Sequence, residues 1–182
     1  MKHVLTLATA ALLGAAPLGA QQANQKLFVE GLVGGAVPTF DIADVATTGG
    51  AFGAAVGYRL SPRWLLMGEY NNGRHQDKPT ESVDITTTHL MGKVGYALSQ
   101  PAVKGWDVIL NLGAGVVSFD VEGTDSKSYF AINAGAKIAY SFSPTLALVF
   151  SPQGDIAFTK ESELGSSSAW VWPVTAGLRI SF

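Results

Sequence analysis

The chain has 182 residues, no cysteine, and 12 basic against 14 acidic side chains for a formal net charge of −2. That inventory excludes a disulfide framework and thiolate metal sites, and it provides no basic stripe for nucleic acid. Hydrophobic residues reach 47 % and charged residues only 14 %, where a water-exposed surface ordinarily carries about a quarter charged residues; something other than water is expected to cover this molecule.

Residues 1–20 read as a secretory signal: Lys2 and His3, an apolar run from Val4 to Ala16, and the small-residue stretch PLGA ending at Ala20. The run is too short to span a bilayer as a helix, which needs about 20 apolar residues. Cleavage after Ala20 would leave one mature domain, 21–182, with 11 basic and 14 acidic side chains. Beyond the signal the longest charge-free stretch, Ile138 to Gly154, is broken by Ser143-Pro144 and Ser151-Pro152, so it holds no helical span.

From Lys26 onward apolar residues alternate with a period of two, the strand signature. Eight strands are expected near 26–38, 49–60, 63–72, 84–98, 106–118, 129–142, 145–157 and 168–182. Short breaks at Ser61-Pro62, Ser99 to Gly105 and Ser143-Pro144 alternate with longer polar stretches near 39–50, 73–83, 119–128 and 159–168, the punctuation of an up-and-down meander. Pro152 and Pro173 fall inside strands seven and eight, where a missing N–H predicts a bulge or an early loop.

In each strand one face is apolar and the other is small or charged. By parity the second face carries Glu30, Arg59, Glu69, Lys93, Asp107, Lys137, Asp155 and Arg179, with His89 beside them. Four basic and four acidic groups are the balance a narrow closed lumen requires, because each charge withdrawn from water needs a partner. Aromatics cluster at strand ends: Phe28, Tyr58, Trp64, Tyr96, Trp106, Tyr140, Phe142 and Phe182 near the short turns, and Phe40, Phe52, Tyr70, Phe119, Tyr129, Phe130, Phe158, Trp170 and Trp172 near the long loops. Two girdles bounding an apolar band are expected of a membrane barrel, whereas a soluble core concentrates its rings centrally. Phe28 shares the parity of Glu30, so its place in a girdle conflicts with the facing of that charge.

On these features, and on a final strand with Gly177, Leu178, Ile180 and the terminal Phe182, whose apolar residues alternate, the chain resembles the small outer-membrane β-barrels of the OmpA/OmpX type, including the opacity-protein-like barrels. The resemblance implies an all-β, eight-stranded antiparallel up-and-down transmembrane barrel in the outer membrane of a diderm bacterium, exported through the Sec pathway. It further implies that the barrel assembly machinery and periplasmic chaperones read the last strand as an insertion signal. With an even strand count, termini and short turns lie on the periplasmic side and long loops outside. Outer-membrane lipids, lipopolysaccharide where present, are the implied surroundings, and a monomer the implied state.

No cofactor or metal site and no catalytic set are expected. Lipid A deacylase-like barrels would require a His-x-Ser pair, and His75-Gln-Asp and His89-Leu-Met depart from it. His89 reads as a lumen polar group near Lys93 and Glu69, and His75 as an exposed loop residue. The loops are acidic: Asp41, Asp44, Asp77, Glu81, Asp84, Asp120, Glu122, Asp125, Glu161 and Glu163 face Arg74, Lys78, Lys127 and Lys160. The segment DVEGTD at 120–125 has oxygen ligands for a hard cation but not the twelve-residue calcium-loop spacing. The expected role is structural and surface-interactive with a plugged lumen; a narrow pore for ions or small apolar solutes is the alternative, a lipid-modifying enzyme a more distant one, and a soluble lipocalin-like barrel the rival at the level of fold.

Overall fold

The computed structural model describes residues 25–78, 83–99 and 104–182, the side chain of residue 163 excepted; the expected signal at 1–20 and loop acid Glu81 lie outside these. Eight strands, β1 (Leu27–Thr39), β2 (Gly49–Arg59), β3 (Trp64–Gln76), β4 (Asp84–Ala97), β5 (Gly105–Val121), β6 (Lys127–Ser141), β7 (Leu146–Ala157) and β8 (Ala169–Ser181), form a closed barrel in sequence order. Every neighbouring pair is antiparallel, including β1 with β8. The Phe182 N–H donates to the Leu27 carbonyl at 2.8 Å, so the terminal strand leaves no open edge, which lipid would not tolerate.

The registers fix the tilt. Starting at Phe28 and stepping through Gly57, Met67, Lys93, Gly113, Asn133, Asp155 and Val171, the pairing returns to β1 at Pro38, ten residues further on. That stagger tilts the strands and leaves an interior that side chains just fill.

Two of the tight turns are built alike. Ser61 Oγ accepts from the N–H groups of Arg63 and Trp64, and Ser143 Oγ from those of Thr145 and Leu146. The hydroxyls take the place of a backbone acceptor and so set where β3 and β7 begin.

Apolar side chains point outward. Leu112 is 69 % exposed, Val33 66 % and Leu90 62 %, while Lys137, Lys93, Glu69 and Asp155 are buried. A soluble barrel has the reverse arrangement, so the lipocalin-like rival is overturned: this outer wall is built for hydrocarbon.

Three sequence expectations change. Phe28, Phe119 and Tyr129, placed in the girdles, are buried in the lumen instead; they share lumen parity, and height along a strand says nothing about its side. Pro152 and Pro173 produce no bulge, because the β6–β7 and β7–β8 registers are the same on both sides of the prolines, with only local gaps in pairing. β3 runs on to Gln76, β5 reaches Val121 and β6 starts at Lys127, so Arg74, Asp120 and Lys127 belong to strands and not to loops; Asp84, counted with the loop acids, opens β4 where the strand expected from 84 begins.

Candidate functional site

The interior is layered from the turn end to the loop end. At the turn mouth Arg59 of β2 donates through Nη2 to Asp107 Oδ2 of β5 at 3.0 Å and through Nη1 to the Pro62 carbonyl at 2.9 Å. Above it Phe28, Leu65, Met67, Ala97 and Ile109 form an apolar layer. Phe28 fits only because β2 opposes it with Gly57, where an added Cβ would lie 2.0 Å from the ring. The Arg179 guanidinium lies over that ring, 4.3 Å from its centroid, a cation–π contact of the desolvated kind.

Next comes a belt of five charges from five strands. Lys137 Nζ of β6 lies 2.6 Å from Glu30 Oε2 and 2.7 Å from Glu69 Oε2, reaching across the lumen to β1 and β3. Arg179 of β8 donates through Nε to Glu30 Oε1 at 2.8 Å. Lys93 of β4 lies 2.9 Å from Glu69 Oε1 and donates to Gln153 Oε1 at 2.5 Å. Asn71 Nδ2 and Gln153 Nε2 complete the shell of Glu69. In a low-dielectric interior such a set holds together only when each ion is met by several partners, as here.

Above the belt His89 Nδ1 lies 2.6 Å from Asp155 Oδ2, and Asn133 Nδ2 donates to Asp155 Oδ1 at 2.5 Å. His89, expected as a lumen polar group near Lys93 and Glu69, is in the lumen and pairs with Asp155. All nine lumen residues named from sequence face inward, in three groups: Arg59 with Asp107, the central five, and His89 with Asp155. Sequence reasoning missed Asn71, Asn133 and Gln153, although their lumen parity was readable.

At the loop end the lumen becomes apolar again. Met91, Val117, Phe119, Tyr129, Ala131, Ala157 and Ala169 pack together, with Ile42 and Leu164 against them. Above this layer is a cavity of about 210 Å³, roofed by a 3-10 turn (Phe40–Asp44) and by α1 (Glu161–Leu164). Phe40 starts the roof in the left-handed region, φ 57°, with its ring 5.0 Å from that of Trp170. His75, expected on an exposed loop, is buried beside the cavity: its Nδ1 pairs with the Thr47 carbonyl at 2.8 Å and its Nε2 with Thr87 Oγ1 at 3.2 Å. The DVEGTD segment turns back through Gly123 at φ 84°, with Thr124 N–H donating to the Val121 carbonyl. Among the described residues no three His, Cys, Asp or Glu groups converge to hold a metal ion.

Aromatic contacts mark the two rims. Trp64 with Tyr96 and Trp106 with Tyr140 pack edge to face at 5.0 Å near the turns, and Phe130 stacks on Phe158 near the loops. An apolar wall between aromatic rims, closed on itself around a charged interior, defines a transmembrane β-barrel.

The chain belongs to the family described as outer membrane protein beta-barrel domain, which it matches over residues 7–179. Among solved structures it is similar to Neisserial surface protein A (NspA), with a TM-score of 0.71 and 13 % identity over 86 % of this chain and 97 % of that one. It is also similar to the N-terminal barrel of Pseudomonas aeruginosa OprF (TM-score 0.57, 16 % identity, 87 % and 98 % covered). A major outer membrane protein from Thermus thermophilus is similar as well (TM-score 0.57, 14 % identity, 86 % and 98 % covered). No curated sequence matches the chain. At these identities the likeness is one of fold, and with the family match it supports the outer membrane as the location.

Proposed function

We propose that the protein is a non-conducting, non-enzymatic outer-membrane barrel that acts through its loop end at the cell surface, its lumen plugged by the charged belt. The observation that carries this reading is Lys137: from β6 it spans the lumen to two carboxylates on β1 and β3, leaving no charge of the belt free to accompany a permeating ion. The two histidines among the described residues, His75 and His89, are committed inside the barrel and away from lipid, which supports the absence of lipid A chemistry. In this reading Sec exports the chain, and periplasmic chaperones and the assembly machinery recognise the last strand. Leu178 and Phe182 face the lipid side there, 52 % and 49 % exposed, and the short turns face the periplasm.

One observation favours the pore. His89 Nε2, both side-chain polar atoms of Asn111, Ser151 Oγ and Thr175 Oγ1 are buried with no protein partner, and such groups are normally served by water. Planar-bilayer recording separates the readings. The plugged barrel gives no discrete conductance steps in the wild type and acquires them in Lys137→Ala; steps in the wild type would establish the pore.

A further inference from the structure

The roofed cavity at the loop end has a lining with a definite chemical character. Its walls are apolar, supplied by Ile42, Val45, Phe119, Val121, Leu164 and Val171. Most of its polar members are already paired with one another or with backbone. His75 holds the Thr47 carbonyl and Thr87; Thr159 Oγ1 donates to the Ser166 carbonyl at 2.6 Å; Ser166 Oγ lies 2.9 Å from Asp41 Oδ2. Among the described lining residues only the Ser168 hydroxyl and the second Asp41 oxygen carry no hydrogen bond, too few to recognise a polar ligand, and Asp41 at the rim disfavours an anion. The floor is the packed Phe119 and Tyr129 layer, with the His89–Asp155 pair and the belt beneath it, so the cavity ends blindly.

Size narrows the occupant further. An apolar cavity of about 150 Å³ stays dry and takes up benzene, and this one measures about 210 Å³. A whole lipid does not fit. The roof consists of two short segments outside the sheet, and the Ser166–Asp41 hydrogen bond and the Phe40–Trp170 ring contact tie one to the other side of the mouth. Contacts of that kind open locally at low cost compared with the hydrogen-bonded wall.

We propose that this cavity is a binding site for one small uncharged apolar molecule, a single aromatic ring or a short alkyl chain, admitted from the loop side. The site goes beyond the plugged-barrel reading and does not depend on it, since a conducting barrel would offer the same cavity.

The test uses the full barrel in phospholipid nanodiscs, with Ile, Leu and Val methyl groups labelled for NMR, titrated with toluene. The methyls of Ile42, Val121, Leu164 and Val171 shift saturably, whereas the outward methyls of Val33 and Leu112 drift linearly as toluene enters the lipid. Two variants fill the cavity: Ala169→Trp on β8 and Ile42→Trp on the roof, outside the barrel wall. Each is checked for folding by gel mobility without boiling, and in a folded variant the saturable shifts disappear. Linear drift of the cavity methyls, matching Leu112, overturns the site, as does saturable binding that survives in a folded Ile42→Trp barrel.

Discussion

Lys137 shows what a single lumen side chain does here. Its ammonium holds Glu30 and Glu69 together across the barrel, and truncating one member of such a set leaves carboxylates buried and under-compensated. Lys137→Ala is expected to destabilise the barrel by about 3–5 kcal/mol, the usual cost of breaking a buried pair, measured by urea unfolding in phospholipid vesicles. Restoring neutrality with Glu30→Gln in the same chain should recover part of that loss; an additive double variant would mean the two do not interact. Gly57 is the steric counterpart. Adding a methyl there meets the Phe28 ring, so Gly57→Ala should cost about 1–3 kcal/mol as overpacking does, and Phe28→Leu should relieve it. Independence of those two substitutions would contradict the contact.

At the scale of elements, the wall is uniform except around the two prolines. Ala136 and Lys137 of β6 have no pairing partner on β7, and Gln153 and Gly154 of β7 have none on β8, because Pro152 and Pro173 have no N–H to donate. The barrel keeps its register across the gap, so the weakness is local. Amide exchange at Ala136, Lys137, Gln153 and Gly154 should run faster than at Ile132 and Leu148, where the ladders are complete; equal protection would show that other donors have replaced the prolines. The strand map from sequence placed all eight elements because parity is insensitive to tertiary context. It shortened β3 and β5 because their loop-end residues, such as Arg74, Gln76 and Asp120, are polar on the outward face. Above the apolar band a strand no longer needs to look like one, and composition there resembles a loop.

For the molecule as a whole, the arrangement inverts that of a soluble protein: leucines and valines outside, ions within. Leu112 lies on the outer wall at 69 % exposure. Leu112→Arg should destabilise the barrel in vesicles by about 2–4 kcal/mol, the cost of arginine at the bilayer midplane; a water-covered surface would accept it without penalty. Folding in lipid with a mobility shift on unboiled gels, against failure to fold in plain buffer, checks the same inversion independently.

The amino-acid sequence by itself determined the number of strands, their order, and which side chains share a face. Those properties follow from a period of two, and a one-residue slip would have turned every charge to lipid. It also marked the nine ionisable residues of the lumen beneath the cavity. Only closure decided who meets whom: β1 pairs with β8, the ten-residue stagger sets the rotation of each strand against the rest, and Lys137 thereby faces Glu30 and Glu69 from the opposite wall. Phe28, Phe119 and Tyr129 followed the lumen parity they already have in the sequence, since height along a strand does not set side, and closure let two short loop segments roof an apolar cavity that has no linear signature. Contacts across a lumen join residues far apart in the chain, and no local pattern encodes them.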